Sequence, residues 1–336
     1  MRFAVVVRAS FQNEKYLNIS LATFVCISCA GDTVHLAHVV CDPRTPATAV
    51  GSSTAATQWS PSRDEALYAR EFFARMEHEA RGMLANRFVP SLQFSGINCE
   101  IDILKLKVHR SAAGIGEQLS NRALDLGAEL LIIASHGAGV LADYGSVARW
   151  CSENSPTPVL LLPPSVLRGN QSGSRSVVVA ATDNLEGLHQ AFDFAVEHLA
   201  HPGDSVYVLH IQQPFDNEEA AVGRKGLANE VLKWQENSRH PYSPTLTVAV
   251  EMITEPASES TNEIASASLS FDSHSCSPAA ERVCQHVEDI SPRAVVLNHH
   301  GKSFMREMMY SPMTLHCTKH CCRPLVVLGS HQPQQS

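Results

Sequence analysis

The chain has no apolar run near the roughly 18 residues of a membrane-spanning helix, although 44% of its 336 residues are hydrophobic. Positive charge is short as well. Lys and Arg number 26 against 34 Asp and Glu, giving a net charge of -8. The cations are scattered, so the basic stripe of a nucleic-acid binder is missing. An anionic ligand would have to be held by backbone N–H groups and helix N-termini rather than by a cationic field. The usual catalytic signatures are missing too. There is no Gly-x-Ser-x-Gly elbow, no Walker loop and no zinc-protease helix motif. Charged residues make up 18%, too few for a chain that is mostly disordered. Arg8 breaks the first apolar run too early for a secretory core. The ten cysteines lack framework spacing. Together these features predict reduced thiols in a cytoplasmic protein.

What is present is a repeat. At roughly 150 residues per domain, the length favours two domains. Short runs rich in Val, Ile and Leu alternate with helical stretches. Strands are predicted at 4–7, 33–40, 99–108, 129–134 and 159–163, then at 176–181, 205–211, 246–254, 294–298 and 325–329. Residues 65–87 carry apolar residues near helical spacing and predict a long helix. Five strands per half, alternating with helices, predict two tandem α/β domains. Each would be doubly wound around a five-stranded parallel sheet buried on both faces.

The halves can be matched by eye. Ala4-Val5-Val6-Val7 aligns with Val177-Val178-Val179-Ala180, which sets Ser10 against Asp183. His38-Val39 aligns with His210-Ile211, Leu131–Gly137 with Val295–Gly301, and Pro158–Leu162 with Pro324–Leu328. Domains are expected at 1–164 and 176–330, joined by a Pro-, Gly- and Ser-rich linker at 165–175. Residues 44–62 and 256–277 read as exposed loops, and 331–336 as a frayed tail.

In open α/β sheets, ligands bind beyond the carboxyl ends of the strands, where the strand order reverses. After the fourth strand of the first half comes a stretch holding Gly137, Gly139, Gly145 and Ser146. After that of the second half come Asn298, His299, His300, Gly301, Lys302 and Ser303, then Ser311-Pro312. Glycines let a backbone approach a phosphate closely, and the following helix adds its positive dipole end.

On these residues the chain resembles the universal stress protein family in both halves, most strongly over the fourth strand, its loop and the fifth strand. The family pattern is a strand, Gly-x-x-Gly, nine residues, then Gly followed by Ser or Thr. The resemblance implies a Rossmann-like fold of the adenine nucleotide alpha hydrolase type. In ATP-binding members the loop wraps the phosphates. A carboxylate ending the first strand holds the nucleoside, and an apolar residue at the end of the second lies near adenine. Family domains commonly dimerise through their last strands. That implies an intramolecular pseudo-dimer through Pro158–Leu162 and Pro324–Leu328, with further homo-oligomers open.

Both halves depart from the pattern. In the first, Ala134 stands at the first Gly, seven residues separate Gly137 from Gly145, and Ser10 replaces the acid. In the second, Asn298 replaces the first Gly. There, nine residues separate Gly301 from Ser311, and Pro312 removes an N–H donor. Asp183 supplies the acid and Ile211 the adenine-side residue. The resemblance therefore implies a stress-response-type regulatory protein binding ATP or another adenine nucleotide, more readily in the second half. Mg2+ would enter only with the nucleotide. The alternatives are an interaction scaffold with decayed sites, and a slow ATPase using His300.

Structural readings stand beside these. Asp183 with Glu186 forms a capping box, and Ser146 caps a helix start. The glycines permit turns, and Lys302 is a solvated charge. His316 with His320, and Cys317 with Cys321, have zinc-compatible chemistry and helical-turn spacing, but the two pairs point about 100° apart on a helix, so no metal site is predicted.

Overall fold

The computed structural model describes residues 2–6, 32–41, 63–106, 111–134, 145–163, 176–181, 185–212, 217–237, 245–254, 278–298 and 312–329. The expected loops at 44–62 and 256–277, the linker at 165–175 and the tail at 331–336 lie outside these residues.

All ten expected strands form. The first unit contains β1 (Arg2–Val6), β2 (Thr33–Cys41), β3 (Asn98–Leu106), β4 (Leu130–Ala134) and β5 (Val159–Leu162). Its helices are α1 (Arg63–Arg87), α2 (Val89–Phe94), α3 (Ala112–Asp125) and α4 (Ser146–Asn154). The second contains β6 (Ser176–Ala181), β7 (Ser205–Gln212), β8 (Thr247–Thr254), β9 (Ala294–Asn298) and β10 (Leu325–Leu328). Its helices are α5 (Leu185–Phe194), α6 (Asn217–Asn237), α7 (Pro278–Ile290) and α8 (Pro312–His320). The chain parts into the two units between Asn170 and Gln171. Strand order is β3-β2-β1-β4-β5 in the first and β10-β9-β6-β7-β8 in the second. The ladders within each unit are parallel.

Parallel sheets need cover on both faces. Every residue of Leu130–Ile133, Val159–Leu162, Ala294–Leu297 and Leu325–Leu328 is accordingly buried, so consecutive side chains, which point to opposite faces, all find partners. The helices supply the cover with one stripe each. Ile115, Leu119 and Ala123 line α3, and Ala280, Val283, Cys284 and Val287 line α7. Burying each large aliphatic side chain contributes roughly 1.5–3 kcal/mol. Among the described residues no helix is long and apolar enough to cross a membrane.

Local chemistry sets the helix ends. The Ser111 hydroxyl accepts the Gly114 N–H at 3.0 Å and caps α3. At the other end Gly127 takes φ +59°, and Ala128 N–H reaches back to the Ala123 carbonyl at 2.9 Å. This left-handed closure is cheap only for glycine.

The ladders correct one sequence match. Ala4 lies opposite His35 and Leu131, whereas Val178 lies opposite Tyr207 and Val295. Leu131 faces Val159 as Val295 faces Leu325. Superposing the ladders pairs Ala4 with Val178, not Val177, and leaves the other three matches unchanged. Counting onward along the sequence, Asp183 corresponds to Ala9 rather than Ser10. A run of valines carries no side-chain feature that fixes its register, which is why the pairing pattern had to settle it. Either way the first copy has no carboxylate there.

Helices α3 and α4 meet where Gly116 leaves room for Trp150. A Cβ on Gly116 would stand 2.3 Å from Trp150 Cε3, and the Cys151 thiol lies 3.8 Å from the Gly116 carbonyl. Gly116→Ala should therefore destabilise the first unit by about 1–3 kcal/mol through overpacking, despite alanine's better helix propensity. Urea denaturation would show this as a lower midpoint. A midpoint equal to or above wild type would mean the two helices can part freely.

Candidate functional site

In each unit the chain adds strands to one side of its first strand and then crosses to the other. The reversals fall between β1 and β4, and between β6 and β9. A ligand crevice is expected beyond the carboxyl ends of these pairs.

In the second unit, β6 ends at Ala181 and β9 at Asn298, adjacent in the ladder. Asn298 is buried, at 7% exposure. Its Nδ2 donates to the Gly187 carbonyl and to Gln190 Oε1, both at 3.1 Å. The amide thus ties the end of β9 to α5, the helix that follows β6. Both of its N–H groups are committed to protein acceptors. Asn298 is one of the candidate nucleotide-binding residues, and its side-chain N–H groups have a positioning task. The helix they fix runs alongside the crevice. Asn298→Ala removes both bonds and takes this donor from Gln190 Oε1. It should cost about 1–3 kcal/mol. Chemical unfolding would measure it, and a change within experimental error would show the tie to be dispensable.

The neighbouring helix α8 begins at Pro312, with no N–H at its first position. The first N–H of a helix has no intrahelical acceptor, so the helix itself loses nothing. A phosphate would lose one donor. Ile211 lies on β7, with its backbone paired to Ile253 on β8. Asp183, His299, His300, Gly301, Lys302, Ser303 and Ser311 lie outside the described residues.

In the first unit, Gly145 and Ser146 are described, and Gly137 and Gly139 are not. Gly145 is the N-cap of α4, with φ −63° and ψ 126°, and its carbonyl accepts the Arg149 N–H at 2.9 Å. Ser146 is the first helical residue rather than the cap, as Pro312 is in the second unit. No side chain caps α4.

Two polar clusters were not anticipated. In the first unit, buried His35 lies with Nδ1 3.2 Å from Asp102 Oδ2, and Arg122 donates to Asp102 Oδ1 at 2.9 Å. This joins β2 and β3 to α3. In the second, Arg293 Nη2 lies 2.6 Å from Asp204 Oδ2 and also donates to the Leu199 carbonyl. Asp204 Oδ2 accepts the His201 N–H at 2.8 Å. This cluster sits just before β7 and β9, at the opposite end of the sheet from the crevice. A sequence signal existed: Gly31-Asp32 precedes β2 as Gly203-Asp204 precedes β7.

The His- and Cys-rich segment forms the end of α8 and the residues just beyond it. The His316 and His320 rings stack with centroids 4.3 Å apart, while Cys317 turns into the core against Cys284. Among the described residues no group of three or more His, Cys, Asp or Glu is placed to hold a metal ion.

Comparison with known proteins agrees with this architecture. The model of the universal stress protein family matches twice, over residues 28–163 and 174–329. A universal stress protein from Archaeoglobus fulgidus is similar in structure, with 14% identity and a TM-score of 0.60, covering 98% of each chain. A putative universal stress protein from Pseudomonas aeruginosa has 13% identity and a TM-score of 0.52, covering 98% of this chain and 92% of its own. At such identities the likeness speaks to fold. A search of curated proteins gives no match. The two family matches, one per unit, establish the relationship: this chain belongs to the universal stress protein family and carries the family's domain in tandem.

Proposed function

We propose that the chain is a regulatory protein that binds an adenine nucleotide, ATP foremost, in its second unit. The observation that carries this reading is the reversal of strand order between β6 and β9. The second copy keeps a carboxylate, Asp183, two residues beyond the end of β6. It also keeps the full spacing from Gly301 to the start of α8. Asp183 would accept hydrogen bonds from the ribose hydroxyls, and Ile211 would flank the base. Backbone N–H groups around Gly301, Lys302, Ser303 and Ser311 would hold phosphates, with Mg2+ arriving bound to the nucleotide. Asn298 would act from behind by fixing α5. In the first copy, Gly137, Gly139, Gly145 and Ser146 retain part of the phosphate-loop sequence pattern, but no carboxylate accompanies it. The first copy therefore has a support role in this reading.

One observation favours a second reading, a nucleotide-independent scaffold. Asn298 has committed its amide to α5 and Pro312 has removed a donor, so the phosphate end of the second site has fewer groups to offer. Mass spectrometry of ligand released by denaturing freshly purified protein separates the two. Adenine nucleotide in the supernatant supports binding. Its absence, with no thermal shift in millimolar MgATP, would leave the scaffold.

A further inference from the structure

Helices α7 and α8 of the second unit face each other through sulfur. Cys284 on α7 and Cys317 on α8 have Sγ atoms 3.8 Å apart, with the Cys317 thiol within reach of Cys284 as a hydrogen-bonding partner. Both residues are buried, at 8% and 1% exposure. A disulfide needs its sulfurs about 2.05 Å apart, so the two thiols, already side by side on facing helices, must draw closer to bond. We propose that Cys284 and Cys317 are a dithiol that a hydroperoxide converts to an intramolecular disulfide, linking α7 to α8.

The two thiols are unlike. Hydrogen bonding with Cys317 holds the Cys284 thiol below its ordinary range, while the same bond and burial hold Cys317 well above it. Burial pushes Cys321 up to about 12, and likewise Cys151 in the first unit. The thiolate is the nucleophile, so Cys284 attacks and Cys317 resolves. The Cys284 thiolate displaces hydroxide from the peroxide O–O bond, forming a sulfenic acid. The hydroxide takes up the proton and leaves as water, or as an alcohol from an alkyl peroxide. Cys317 then attacks the sulfenic sulfur, forming the S–S bond and releasing water. Two electrons pass from the sulfurs to the peroxide, and both thiol protons end in the products. This chemistry is independent of nucleotide binding.

Tryptic cleavage makes the test direct. Residues 283–293 and 307–319 each contain one cysteine, and Cys321 and Cys322 fall on a separate peptide. Reduced full-length protein would be treated with hydrogen peroxide under native conditions, alkylated and digested. The proposal predicts a linked 283–293/307–319 species lighter by two hydrogens than the free peptides together. Alkylation of both cysteines should fall in parallel. The Cys321→Ser variant should form the same link, and Cys284→Ser should leave Cys317 alkylatable. If native oxidation falls on exposed Cys322 while Cys284 and Cys317 stay alkylatable, the pair is packing material and the proposal is wrong. Because the wild-type protein gives the primary readout, a variant that folds poorly cannot obscure the result.

Discussion

Replacing Arg293 with Ala should lower the stability of the second unit by about 3–5 kcal/mol, the cost of leaving one member of a buried ion pair uncompensated. The side chains of Arg293 and Asp204 are 14% and 3% exposed, so water screens them little. The loss is not confined to the pair. Arg293 also donates to the Leu199 carbonyl, at the end of a π-helical turn over Ala195–Leu199 that extends α5. There a cation opposes the negative end of the helix dipole. Asp204→Asn should cost less than Arg293→Ala, because an amide oxygen can still accept from His201 N–H. Replacing both partners with apolar residues, Arg293→Met with Asp204→Leu, should recover part of the loss. It removes the stranded charge but leaves the Leu199 carbonyl and His201 N–H to find partners. Hydrogen exchange over β7 and β9 would report the effect on this unit separately. Equal protection in Arg293→Ala and wild type would show that the pair is energetically neutral.

The first unit has Glu129 where the second has Arg293, so it cannot use the same device, although Asp32 stands where Asp204 does. The two copies have therefore diverged at the amino ends of their strands as well as at the carboxyl ends.

The second large effect is on binding. Asp183→Ala should weaken ATP binding by about 10- to 100-fold. Hydrogen bonds to a charged acceptor contribute about 1.5–3 kcal/mol, and each 1.4 kcal/mol is tenfold in affinity. Asp183→Asn keeps an acceptor and should lose less. If Asp183 served only to cap α5, the variant would lose roughly 1 kcal/mol of stability with its ATP affinity intact. Calorimetric titration beside a denaturation curve separates the two roles.

The central strands were legible because β4, β5, β9 and β10 are short apolar runs buried on both faces. β6 and β9 match their predicted limits, and the long helix α1 begins two residues earlier than expected. The register of β1 was not legible, since its valines look alike at every offset. The site was legible only as a pattern. Glycine spacing and Asp183 could be read in one dimension. The tie from Asn298 to Gly187 and Gln190 could not, because it joins residues more than a hundred positions apart. Arg293 with Asp204 and Cys284 with Cys317, 89 and 33 positions apart, were hidden because each pair joins separate elements. Each residue is unremarkable alone and acquires meaning from a partner on another element.

The proposed function calls for one adenine-nucleotide site per chain, in the second unit. The most direct measurement is the stoichiometry of MgATP binding to the full-length protein by calorimetry, repeated with Asp183→Ala. The account predicts one nucleotide per chain for wild type and a weakened isotherm for the variant. Two sites per chain, or an isotherm unchanged by the substitution, would contradict it.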